Sequence, residues 1–145
     1  MRRLPLLLIP VLLGCAMAPA DENAPESPQQ VTVDLTARQL PSTPESDWAR
    51  AVGAADRIKV EGAVTTPTPC YDLAGHLERE GTNTLTLVVE ARRKEGGCIQ
   101  MIAAFGYDAA VRGLAPGRYV LRVRQTYPGT GWYARTSLEE EVVVG

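Results

Sequence analysis

From Val31 onward, apolar and polar residues alternate in short runs separated by turn signals. Val31-Thr32-Val33-Asp34-Leu35 alternates and is β-branched, which predicts a first strand. Pro41 to Glu45 interrupts it. Ser46 then reads as the cap of a short helical turn over Trp48 to Val52, ended by Gly53, with Trp48 expected as a core plug. Ile58, Val60, Gly62 and Val64 share one face of the next strand, and Pro67 and Pro69 mark a corner. Tyr71, Leu73, Gly75 and Leu77 alternate before a turn at Glu80 to Asn83. Leu85, Leu87, Val89 and Ala91 follow, then a charged loop from Arg92 to Gly97. Ile99, Met101, Ala103, Phe105 and Tyr107 form the clearest expected inward face. A Pro116-Gly117 turn leads to Tyr119, Leu121 and Val123 pointing in and Arg118, Arg122 and Arg124 pointing out. The run from Glu139 to Val144 closes the domain.

About seven short strands, with turns every eight to twelve residues or so, predict an all-β protein with a single β-sandwich of antiparallel strands. The stretch Leu114, Pro116, Gly117, Tyr119, Leu121, Val123 resembles the late strand of immunoglobulin-like, fibronectin type III-like and transthyretin-like modules. In those folds a turn leads into a strand with a buried tyrosine. The Cys…Trp…Cys spacing of a true antibody domain is missing, so the resemblance implies an immunoglobulin-like sandwich and no narrower family.

The beginning of the chain is of a different kind. Arg2 and Arg3 precede an apolar run from Leu4 to Leu13, the layout of a secretory signal and too short for a stable membrane-spanning helix. Its end, Leu12-Leu13-Gly14-Cys15, resembles the lipobox of bacterial lipoproteins. That resemblance implies a diacylglyceryl group on the Cys15 sulfur, cleavage after Gly14 and acylation of the new amino terminus. Two or more acyl chains anchor stably where one binds only marginally. Ala16 follows the cysteine where some bacteria use aspartate for inner-membrane retention, so the resemblance implies the outer membrane, facing the periplasm, in a two-membrane cell. The alternative is an ordinary signal peptide cut near Ala16-Met17-Ala18 or Ala18-Pro19-Ala20. The expected organisation is a signal peptide over 1–14, a lipidated cysteine and Pro-rich tether over 15–30, and the sandwich over 31–145. At about 3.1 Å per residue in polyproline geometry the tether would hold the domain roughly 40 Å from the membrane.

Loss of Arg2 and Arg3 takes the formal charge from −2 to −4, which leaves nothing basic enough for nucleic acid. Once the lipobox takes one of the three cysteines, Cys70 and Cys98 remain as a pair in an oxidising compartment. Each precedes an expected strand, with one antiparallel strand between, so both fall at one end of the sandwich. That predicts a disulfide.

Candidate chemistry is sparse. His76 is the sole histidine and has no second ligand near it in sequence, so no metal or cofactor is expected. Glu139-Glu140-Glu141 alternates across a strand and cannot converge on one ion. Arg92-Arg93-Lys94 reads as a solvated hairpin tip or as a contact for lipid headgroups or an acidic partner. No nucleophile elbow, phosphate loop or convergent acid pair is present, so an enzyme is not expected. Tyr127, Trp132 and Tyr133 flank a Pro128 to Gly131 turn between two strands, with Tyr127 and Trp132 as cross-strand neighbours. They are the candidate binding residues for a protein or a glycan, unless they cover the open end of the sandwich. The expected function is a membrane-anchored envelope lipoprotein acting as a non-catalytic binding module. Alternatives are a structural accessory subunit of an envelope complex, or a protease-inhibitor-like or glycan-binding module.

Overall fold

The computed structural model describes residues 30–145; the residues expected to form the signal peptide, the lipidated Cys15 and nearly all of the tether lie outside them. Eight strands form two four-stranded sheets. They are β1 (Thr32–Gln39), β2 (Trp48–Gly53), β3 (Arg57–Thr66), β4 (Tyr71–Glu80), β5 (Thr84–Arg93), β6 (Ala103–Arg112), β7 (Gly117–Thr126) and β8 (Arg135–Val144). The first sheet has the order β1-β6-β3-β2 and the second β4-β5-β7-β8. The chain is an all-β sandwich, as the alternation predicts.

Period-two alternation builds the core directly. Ile58, Val60 and Val64 of β3 and Phe105, Tyr107 and Val111 of β6 face Leu85, Leu87 and Val89 of β5 and Leu121 and Val123 of β7. Burying each large side chain is worth about 1.5–3 kcal/mol, so these central strands carry most of the stability. The charged alternates point outward, where Arg118 donates to Glu141 at 2.6 Å and Arg122 to Glu139 at 2.9 Å.

Four details differ from the sequence expectation. Trp48 to Gly53 is an edge strand and not a helical turn. Its inward residues Ala49, Ala51 and Gly53 are small because β8 packs against them, and pairing with β3 outweighs a weak local cap. Trp48 accordingly points out of the first sheet, 42% exposed, with the Arg50 guanidinium 5.9 Å from its ring. The sixth strand starts at Ala103, so Ile99 and Met101 lie in the loop before it and are exposed. Finally, there are eight strands, and β5 and β7 pair in parallel, because the chain crosses to the first sheet as β6 and returns between them.

The sandwich has two distinct ends. Gln30 and the start of β1 lie beside Gly113, at the end where β6 finishes and β7 begins. At the other end lie the segments Leu40 to Asp47, Pro67 to Cys70, Lys94 to Ile102 and Tyr127 to Ala134. A disulfide joins Cys70 and Cys98 there, their Cα atoms 6.1 Å apart. This bears out the pairing expected from strand counting, although Cys98 sits within the loop and not at a strand start.

Candidate functional site

The disulfide end is closed by a polar and aromatic lid. The turn Tyr127 to Thr130 is held by the Thr130 hydroxyl, which donates to the Tyr127 carbonyl at 2.9 Å and accepts the Trp132 N–H at 3.1 Å. Gly129 has φ +74°, the left-handed conformation that this turn requires. The result folds Tyr127 into the core, with the edge of one ring against the other in the Tyr127–Trp132 pair at 5.4 Å between centroids. The Tyr127 hydroxyl donates to Asp47 Oδ2 at 3.3 Å, and the Thr65 N–H donates to Asp47 Oδ1 at 2.8 Å. Arg135 stands 3.6 Å from the same carboxylate and 5.7 Å from the Trp132 ring. Burial, with Asp47 nearby, pushes the Tyr127 hydroxyl far above its ordinary pKa.

Of the three candidate aromatics, Tyr127 and Trp132 therefore belong to the lid, and Tyr133, 88% exposed, projects into solvent. Asp47 and Arg135, which bind the lid together, carry no sequence signal: a carboxylate in a loop before a strand looks solvated until the fold brings β3 and β7 around it.

Between Lys94 and Ala103 the chain makes a loop with almost no burial. Ile99, Met101 and Ile102 are 63%, 57% and 58% exposed, side by side in sequence. Gly96, with φ +105°, and Gly97 release the chain from β5, and between Lys94 and Ala103 Cys98 alone is half-buried, the other residues being exposed. The loop is held at its root by Lys94 N–H to the Cys70 carbonyl at 2.9 Å and by the disulfide itself. Apolar alternation predicts an extended strand through Ile99 and Met101; the Gly96-Gly97-Cys98 sequence just before them is the sign of a loop. Arg93, opposite Tyr71 at the tip of β5, is exposed and has no carboxylate within 4 Å among the described residues, whereas Arg92 pairs with Glu90 at 2.9 Å and Lys94 with Asp72 at 3.2 Å. The Arg92 hydrogen bond holds the Glu90 carboxyl below its ordinary range.

A second feature is a hollow of about 570 Å³ on the outer face of the first sheet, floored by Ala110. Asp34, Ala110, Lys59 and Val52 line up across it in register, and Thr36, Asp108, Glu61 and Arg50 form the next row. Glu61 and Asp108 stand directly opposite each other, a destabilising pair. Each is neutralised from the outside: Glu61 by Arg50, Asp108 by Arg38 at 2.9 Å. Arg112 donates to Asp34 at 2.7 Å. The ion pairs of the face are thus mostly closed on themselves.

The remaining candidates stay apart. His76 lies on the outer face of the second sheet, 3.7 Å from Glu78 and 3.9 Å from Glu90. No group of three or more metal-ligating side chains occurs among the described residues. Two buried polar atoms have no hydrogen-bond partner there, the Tyr107 hydroxyl and Gln125 Oε1, although Gln125 Nε2 donates to Ser137 Oγ at 2.6 Å.

The family model of the ORF11 beta-sandwich domain matches residues 58–131, which is half of the chain. The chain belongs to that family. The ORF11 beta-sandwich match runs from β3 through the Tyr127 to Gly131 turn, so it takes in Cys70, Cys98 and the whole exposed loop between β5 and β6. Residues 12–15, β1, β2, Trp132, Tyr133 and β8 fall outside it. Comparison with curated proteins and with solved structures finds no match.

Proposed function

We propose that the protein is a lipid-anchored lipoprotein of the bacterial cell envelope whose sandwich is a non-catalytic docking module, working through its disulfide end. One observation carries the reading: exposed apolar side chains gather on the loops of the disulfide end, while the chain leaves toward Cys15 from the opposite end. An anchored module would then hold its apolar loops away from its own membrane. The immunoglobulin-like character of the sandwich is supported by Tyr119, whose buried ring follows the Pro116-Gly117 turn and whose hydroxyl donates to the Ala115 carbonyl at 2.7 Å.

The anchor is tested by the intact mass of the mature chain. A first residue of Cys15 carrying diacylglyceryl is expected; a chain beginning at Pro19 or Asp21 without lipid contradicts it. Docking is tested by crosslinking in living cells, comparing wild type with an Ile99→Ser, Met101→Ser double variant of equal melting temperature. A captured envelope protein that is lost in the variant supports the reading, and equal capture by both refutes it.

A second reading, a structural subunit that joins a complex through a sheet edge, rests on β2. That edge carries exposed Trp48 and Val52, and its sole charged residue, Arg50, is engaged by Glu61.

A further inference from the structure

We infer that the occupant of the disulfide end is a protein presenting an apolar cleft with carboxylates at its rim, received by Ile99, Met101 and Ile102 and fixed in register by Arg93. This rests on the reading of the disulfide end as the docking end and names the partner's chemistry.

Three observations point to a protein cleft. The first is shape. Ile99, Met101 and Ile102 stand more than half exposed on one loop, a shape that enters a recess on a partner. Apolar anchors filling a partner's pocket are the pattern of binding hot spots, with Met and Arg enriched at such interfaces.

The second is preorganisation. Between Lys94 and Ala103 the loop has few hydrogen bonds, Met101 N–H to the Ile99 carbonyl at 3.1 Å and Gln100 Nε2 to the Cys98 carbonyl at 3.5 Å, and neither ties it to another element. The Cys70–Cys98 bridge supplies that tie, one residue before Ile99. A covalent pin removes in advance the ordering that an exposed loop otherwise undergoes on binding.

The third is charge. Glu90 and Asp72 engage Arg92 and Lys94, which leaves Arg93 as the one cation of this triplet free to meet an outside carboxylate. Arg93 continues the inward face of β5 past the end of the sandwich, beside Cys70 and so beside the root of the loop. A bilayer surface would call for several free cations and for aromatics at headgroup depth, and of the three loop cations Arg93 alone has no carboxylate within reach among the described residues, with Tyr133 the one aromatic of this end that is more than half exposed. One planar guanidinium suits a single carboxylate, which it grips with two donors.

The test places p-benzoylphenylalanine at position 99 of the full chain in living cells, with Arg93 wild type, Arg93→Glu or Arg93→Lys. Arg93 is exposed, so these variants keep the fold. The expected result is a protein adduct whose crosslinked segment is apolar and flanked by Asp or Glu. Its yield should fall by more than about tenfold with Arg93→Glu, fall by a smaller factor with Arg93→Lys, which keeps the charge and loses the two-donor grip, and return in the Arg93→Glu variant when the partner's carboxylate is reversed in charge. A protein adduct indifferent to Arg93→Glu overturns the acidic rim and leaves docking by this end standing. Adducts with lipid alone overturn the protein partner in favour of the bilayer. No adduct at 99, with capture by the same probe at position 52, overturns both this inference and the docking end itself.

Discussion

The Tyr127 hydroxyl and the Thr65 N–H share one carboxylate, that of Asp47, which reaches both from the loop before β2. That carboxylate is 6% exposed, and it ties the second-sheet turn to the first sheet across the open end of the sandwich. Removing it leaves two part-buried donors without that partner. Asp47→Ala should cost about 2–4 kcal/mol in urea unfolding, whereas Tyr127→Phe, which takes away one partner and its desolvation together, should cost about 1 kcal/mol. Equal losses for the two variants would mean that the carboxylate is solvated in the native protein.

Tyr107 and Tyr127 give the fold an alkaline limit. Burial pushes both hydroxyls up, so the folded state holds their protons after the unfolded chain has lost them. The stability that comes from the raised values is fully present below the ordinary tyrosine pKa of about 10 and is lost as pH rises beyond it. The loss approaches about 1.4 kcal/mol per pH unit for each tyrosine. Unfolding free energies between pH 8 and 11.5 should be flat at first and then fall, and Tyr127→Phe should show a shallower fall. Identical slopes in wild type and variant would contradict the assignment.

The disulfide closes a separation of 28 residues, for which chain entropy gives about 3.5 kcal/mol. Cys70→Ser should lower the melting temperature by roughly 14–28 °C, given about 4–8 °C for each kcal/mol. Because the core lies elsewhere, reduction should free the Lys94 to Ile102 loop to proteolysis well before the strands. A melting curve that does not change with reductant would show that the bridge adds nothing to stability.

Gly53 allows β2 and β8 to touch. A Cβ on it would stand 1.7 Å from the Val143 carbonyl oxygen, and that neighbour is backbone and cannot rotate away. Gly53→Ala should destabilise by about 3 kcal/mol or more, at or above the usual range for overpacking. Gly97→Ala, with no atom near the added carbon, is the matched control and should change stability little.

What could be read from the chain was what strict alternation encodes. The inward faces of β3, β5 and β7 follow from their apolar positions, and the arginines of β7 fall outside as expected. Cys70 and Cys98 could be paired by counting strands. Misreadings came where long-range packing decides. Nothing local to Trp48 to Gly53 announces that β8 will lie against it, and alternation through Ile99 and Met101 continued past the true start of β6. The same limit hid Asp47, whose burial depends on Thr65, Tyr127 and Arg135 arriving from three distant segments. The sequence places Tyr127 and Trp132 as cross-strand neighbours, but whether they face solvent or the core depends on that buried carboxylate.

Hydrogen exchange of the protein in isolated envelopes, compared with the same protein released in detergent, tests docking by the disulfide end most directly. The account predicts added protection in peptides covering 94–102 and 127–134, with 32–38 and 48–53 unchanged. Protection over 32–38 and 48–53, with the disulfide end exchanging as fast as in detergent, would contradict it and move the contact to the outer face and edge of the first sheet.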